Sequence, residues 1–528
     1  MNTVHEQTAL ARKSRRHRIW VWIGGAVLVL GITALVTIQV LIRRAEPILR
    51  QRVTQALSKQ LDSRVELGQL NVSVLNGLNV SGNDLRVFPN NPDIVSKTKE
   101  PLIAIKRFEF HTRVSDLFQR PIHVGIVTVQ GMAITIPPKR ERKVSAPRRL
   151  GMPQFVLDEM VCDDSYLLIE NANPNKDPRL FQLKHIVLHG VGRDDAPWDY
   201  DAILTNAIPP GEIHATGTFG PWSTESPGDS NVTGKYIFEN ANLDAIRGIG
   251  GMLHSRGSFQ GQLNRIDIQG AVDVPNFSLD TANRPLPLST TYTATVDGTS
   301  GDTYLHAVNA TLLHSAFTCS GSIVNEKGKG HIIDIDVDVP SGRIQDFLAL
   351  AVKAQPSAMT GSIQTKAKLH IRPGKERVTE KLTMKGSFAL HQIHFTNPEI
   401  EDKVDMMSLR AQGKPHDAKP GAPDVHSQMT GHFDTQAGKM RFSELDYELP
   451  GASVTLAGLY ALDGGHFDFT GHVKTKAGIS HMVDSIWKSI LLKPIDPFFR
   501  KDGAGADIPV EISGTGDKPH VGLKLGGR

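Results

Sequence analysis

Between Ile19 and Ile42 the chain reads IWVWIGGAVLVLGITALVTIQVLI, with no charged side chain and one amide, Gln39. A helix rises about 1.5 Å per residue, so this run reaches about 36 Å, enough to cross a hydrocarbon core of about 30 Å. Arg12, Lys13, Arg15, Arg16 and Arg18 precede it, and Trp20 and Trp22 stand where an interfacial aromatic belt falls. Arg43 and Arg44 follow it. The reading is a transmembrane helix over 19–42, a basic cytoplasmic tail over 1–18, and export of everything from Arg43 onward. A cleaved signal peptide is the main competitor, but its apolar region is shorter and ends in a small-x-small site that is missing here. A buried core helix is the other alternative.

A chain of 528 residues has room for roughly two to four domains or one elongated one. The net charge of +4 is small for that length and does not suggest a nucleic-acid partner. The 48 Gly and 31 Pro fit a turn-rich β protein, while 6% aromatic content is sparse for the girdles of an outer-membrane barrel. Cys162 and Cys319 are the two cysteines. An exported compartment permits a disulfide between them; their wide separation fits two unpaired thiols in a β core.

After the anchor, 43–64 reads as an amphipathic connector helix. Pro47 suits a first turn, and Ile48, Leu49, Val53, Ala56, Leu57 and Leu61 share a face. From Val65 the period changes to two. Short alternating runs broken by Asn-Gly and Gly-Asn pairs read as antiparallel strands, among them Leu102–Phe110, Val124–Ile136, Tyr166–Glu170, His185–His189 and Ile213–Phe219. The same grammar recurs at Met384–His391, Ser453–Tyr460, Phe467–Val473, Ile508–Ser513 and Val521–Leu525. HIIDIDVDV, His331–Val339, alternates most strictly: Ile333, Ile335, Val337 and Val339 on one face, Asp334, Asp336 and Asp338 on the other. Such a strand has one wet and one apolar face. Loops are expected over Pro137–Pro153, which is basic and proline-rich, and over Phe219–Asn231 and Ala411–Ser427.

Three segments share a strand followed by a short amphipathic helix. Their apolar positions are Leu243/Ile246, Ile344/Phe347/Leu348 and Ile479/Met482/Ile486, and the first two return through Gly257–Gln260 and Gly361–Gln364. This reads as degenerate duplication of a β-rich module or as chance likeness between short β segments.

The anchor, the connector and RVELGQLNVSVLNGLNVSGNDLRV together resemble the N-terminal signature of the AsmA-like family. The stretch from GTFGPWSTESPGDSNVTGKYIFENANLDAIRG onward and the closing IPVEISGTGDKPHVGLKL are similar to its C-terminal region. The resemblance divides the chain into an N-terminal β region, 65–220, and a C-terminal one, 221–528. It implies a mostly β fold: an elongated, curled antiparallel sheet forming an apolar groove, with a few short helices. It also implies an inner-membrane protein facing the periplasm, related to bridge-like lipid-transfer proteins. The expected partners are phospholipid or another acyl-chain lipid, the membrane itself and envelope proteins; the expected role is phospholipid transport or outer-envelope assembly. The chain is short beside the family's largest members.

Ile333, Ile335, Val337 and Val339 are the candidate lipid-facing residues. No nucleophile elbow, P-loop or metal-ligand spacing appears; His391, His394, His466 and His472 lack companions, and the Asp334/Asp336/Asp338 row invites solvation or cross-strand pairing with Lys or Arg. The expectation is no catalytic residue, cofactor or metal. A filled β-sandwich docking an envelope protein is the alternative reading, and an exported hydrolase a remote one.

Overall fold

The computed structural model describes residues 50–51, 53–59, 63–73, 78–89, 101–113, 121–137, 155–171, 173–193, 196–221, 227–462, 465–482, 505–515 and 518–523. The 19–42 run and most of the Pro137–Pro153 loop lie outside these residues. Among the described residues no helix is long and apolar enough to cross a membrane.

The fold is mostly β. Among the described residues the strands form one large open sheet, and helices are few and short. The chain forms two compact units. One holds the described residues up to 135, with 155–165, 187–193 and 196; the other holds 136–137, 166–186 and the described residues from 197.

In the first unit, Ser63–Glu66 and Leu70–Ser73 both pair with Leu78–Pro89, which pairs in turn with Ile103–Thr112 and that strand with Ile122–Ile136. Alternation works as expected: Leu70, Val87 and Val129 are buried, while Arg86 and Thr128 between them are exposed. Residues 50–51 and 53–59 are helical, with Val53, Ala56 and Leu57 half-buried and Gln55 and Lys59 exposed. This connector is tied to the first strand: the Arg50 guanidinium donates to the Leu67 carbonyl, and the Val65 N–H donates to Ser58 Oγ at 3.2 Å.

The second unit is an antiparallel meander. From Trp198–Ala207 to Lys518–Leu523 each strand pairs with its successor, apart from the two-residue Ile249–Gly250, which pairs with Arg265–Leu279. The sequence located these strands but underestimated them. Tyr166–Glu170 is the tail of Phe155–Ile169, and His185–His189 is the middle of Arg179–Val191.

Two helices lie on one end of the apolar face. Ile344–Ala351 is the expected one; its buried Asp346 accepts from the His314 N–H at 3.1 Å and Ser315 Oγ at 2.8 Å. Pro398–Ala411 was not expected. Asn397 caps it by accepting from the Glu399 and Ile400 N–H groups, with Pro398 in the first turn. Its Val404, Met407 and Ala411 pack on Leu390, Ile393, Tyr447 and Val454. Ile393 is 1% exposed there, so Ile393→Ala is expected to cost about 2–5 kcal/mol through lost transfer energy and a residual cavity, read by chemical denaturation.

The helix expected at Leu243/Ile246 is instead a single 3-10 turn, Leu243–Ala245, with Ile246 already extended. Gly248 and Gly251, both at positive φ, follow at once and stop any propagation. The third, at Ile479/Met482/Ile486, is a 3-10 turn over Ile479–Met482; Ile486 lies outside the described residues.

Within this unit, segments distant in sequence are bonded to one another. Lys176 Nζ donates to Asp302 Oδ1 at 2.8 Å and to the Asn325 carbonyl at 2.6 Å, and the Gly328 N–H donates to Asp177 Oδ2 at 2.8 Å. The Val378 N–H donates to the Arg247 carbonyl at 3.1 Å, and Arg377 pairs with Asp280 at 3.6 Å.

Candidate functional site

The strand Gly330–Arg343 carries the strict alternation seen in the sequence, and the structure sorts its faces as that pattern requires. Ile333, Ile335 and Val337 are half-buried, while Asp334 and Asp336 are exposed and Asp338 is half-buried. Val339 differs from its three companions: it is 1% exposed, where the strand meets the helix Ile344–Ala351. A Cβ on the nearby Gly342 would touch the Val339 methyl, the Phe347 ring and Ile363, so this end of the strand is packed rather than open.

Register carries the apolar face far beyond one strand. Ile335 stands opposite Gly321 and then Leu305 on one side, and opposite Leu369 and then Met384 on the other. Val337 continues through Cys319 to Val308 in one direction, and through Ala367, Gly386, Phe433 and Phe442 in the other. Near the start of the meander the same row runs Tyr292, Gly270, Gly257, Tyr236. These side chains are mostly half-buried. Among the described residues, the main elements laid on the sheet are the two helices at one end of its strands.

Glycine gives this face its relief. The Tyr236 ring lies across Gly257 and Gly270, so that its hydroxyl meets those of Tyr292 and Ser255. A Cβ at Gly386 would stand 2.8 Å from the Phe433 ring, which occupies that space. Rings therefore lie along the sheet instead of standing up from it. Burial raises the pKa of Tyr292 and Tyr200, which keeps both hydroxyls neutral.

The opposite face is ionic. Asp338 pairs with Lys366 at 3.1 Å, Asp336 with Lys368 at 2.9 Å and Asp334 with His370 at 2.7 Å, each a directly opposed cross-strand pair. A depression of about 960 Å³ is lined by Asp336, Lys368, Lys385 and His432 together with Val308, Cys319, Val337 and Phe433. Its charges of both signs face each other across strands, as on a solvated surface.

Cys162 and Cys319 are free thiols. Burial, helped by the neighbouring Asp163, pushes Cys162 up to about 12, and burial pushes Cys319 up to about 11. Neither supplies a thiolate nucleophile at neutral pH. His472 pairs with Asp507 at 2.8 Å across adjacent strands, and His394 with Glu401 at 3.0 Å. The second contact was invisible in the sequence because Glu401 belongs to the unexpected helix. Compared with family models, curated proteins and solved structures, the chain matches none.

Proposed function

We propose that this chain is a single-pass, inner-membrane-anchored protein whose exported β-sheet takes up lipid acyl chains along its apolar face. Its role would be the movement of phospholipid or the assembly of the outer envelope. One observation carries the reading: an apolar, half-buried face that continues in register from Trp198–Ala207 to Lys518–Leu523 with few covering elements. At about 4.8 Å per strand it runs on the order of 75 Å along the ladder. An apolar face must be covered by another sheet, a helix or a ligand. Each methylene seated on it contributes about 0.8 kcal/mol, so acyl chains are suited to cover it. The 19–42 run and the AsmA-like resemblance of the sequence point the same way.

The sheet would form its groove by curling. About 34 Å of ladder separates the strands flanking Arg247 from those flanking Val378, yet the two backbones are bonded at 3.1 Å. Arg247 lies past one end of its strand and Val378 past the other, as in a winding ribbon. About eight strands would make such a turn, a number that in closed barrels leaves room for side chains or one small ligand.

The test is a photo-crosslinking residue placed singly at Ile335, Val337 and Asp336 in the full-length chain, in its membrane. Lipid adducts are expected from the first two and not the third. Protein adducts alone at 335 and 337 would overturn the reading in favour of a docking surface, and equal lipid labelling from 336 would remove the facial argument.

A further inference from the structure

The helix Pro398–Ala411 holds a carboxylate that packing alone does not account for. Asp405 is 2% exposed, and it shares its surroundings with Glu401, Asp402 and Asp424, the last from the segment leading into the strand Ser427–Gln436. One oxygen each from Glu401, Asp405 and Asp424 lie within 4.8 Å of one another. Among the described residues no Lys or Arg makes an ion pair with any of the three; the one basic partner is His394, on Glu401. Burial raises the Asp405 pKa and the Val425 N–H opposes it, while the charges of Glu401, Asp424 and Asp402 add to the rise. A buried anion among like charges is costly unless a cation or a proton neutralises it.

The group is also held in place from several directions. The Val425 N–H donates to Asp405 Oδ1 at 3.0 Å, and the Gly421 N–H to Asp402 Oδ1 at 3.1 Å. Glu401 accepts from the Phe395 N–H at 2.7 Å and His394 Nδ1 at 3.0 Å. A carboxylate offers about four acceptor positions, so each keeps lone pairs free.

Tyr447 supplies an independent sign of a missing partner. The residue is 8% exposed, and its hydroxyl is buried without a hydrogen-bond partner. Ser427 stands beside it but donates its own proton to the Ile393 carbonyl at 3.3 Å. Burial raises the Tyr447 pKa, the neighbouring Ser427 hydroxyl opposes the rise, and the charges of Glu401 and Asp405 add to it. An orphaned phenol of this kind is expensive.

We propose that Glu401, Asp405 and Asp424 bind a hard divalent cation, calcium in the first instance, which clamps the helix and its return loop onto the sheet. The donors are all oxygen, which excludes a thiolate-seeking metal, and they come from a helix and an irregular loop, which suits the variable geometry of calcium better than the strict octahedron of magnesium. Water on the cation would give the Tyr447 hydroxyl its partner. The site stands apart from the acyl-chain reading and does not depend on it.

The experiment titrates calcium chloride into the full-length protein in detergent after chelator treatment, followed by calorimetry and by hydrogen exchange of the Gly421 and Val425 amides in the return loop, which donate to Asp402 and Asp405. One binding event is expected, with exchange at these amides slowed at least about tenfold. Asp424→Asn, an exposed change that leaves the fold alone, should weaken binding at least about tenfold and restore exchange. Asp405→Asn should abolish binding while raising the melting temperature of the chelated protein, because it removes the buried charge. Absence of binding to calcium and magnesium alike, or undiminished binding in Asp424→Asn, would overturn the proposal.

Discussion

Replacing Ile335 and Val337 together with Asp is expected to leave the full-length protein folded and to strip it of acyl chains. Both side chains are half-buried on the open part of the face, and their cross-strand neighbours include the small Gly321, Cys319 and Ala367. New carboxylates there can keep much of their water. An acyl chain laid over the same spot would have to dehydrate them or lift away. Each methylene lifted forfeits about 0.8 kcal/mol, so two amount to roughly a tenfold loss of affinity. Mass spectrometry of co-purified lipid measures the loss, and circular dichroism establishes that the sheet is intact. Asp336→Asn, on the ionic face, serves as the control and should keep the wild-type lipid content. Undiminished lipid in a folded double variant would refute the acyl-chain reading.

Lys176→Ala is expected to destabilise the second unit by about 3–5 kcal/mol, the range seen when one partner of a buried ion pair is removed. The side chains of Lys176 and Asp302 are 14% and 11% exposed, and Lys176 also satisfies the Asn325 carbonyl. The truncation leaves both without their cation. Lys368→Ala is the instructive contrast: its pair with Asp336 is comparably short at 2.9 Å, but the side chains are 82% and 57% exposed. Solvent screens that pair, and its loss should barely register. Denaturant titrations of the two variants provide the comparison, and the double variant Lys176→Ala, Asp302→Ala should recover part of the loss. If Lys176→Ala unfolds with the wild-type midpoint, the sheet does not depend on this tie.

What could be read from the residues was the part governed by period. The HIIDIDVDV strand, its two faces and the cross-strand pairing of its acids all follow from alternation and needed no tertiary information. Strand ends did not follow, because polar stretches such as Asp163-Asp164 inside Phe155–Ile169 interrupt the apolar count while the backbone continues to pair; Asp164 absorbs the irregularity at a φ of 49°. The helix Pro398–Ala411 was missed because its acidic first half masks the spacing of Ile400, Val404, Met407 and Ala411. Asn397-Pro398 was the available signal. That miss hid the carboxylate group, since Asp405 and Asp424 come together only when the return loop folds back on the helix. The bond between Val378 and Arg247 was beyond reach for another reason: neither residue type nor period says how far a twisted ladder turns.

A meander of this kind has a kinetic consequence. From Arg265–Leu279 onward every described strand pairs with the one made just before it. The order of synthesis can therefore serve as the order of assembly, with each new strand offered a template already in place. Loop-closure entropy is small at every step, so a sheet this wide escapes the slow search that distant strand pairing imposes. A half-made chain also exposes one growing edge at a time, which keeps the aggregation-prone surface to the width of a single strand.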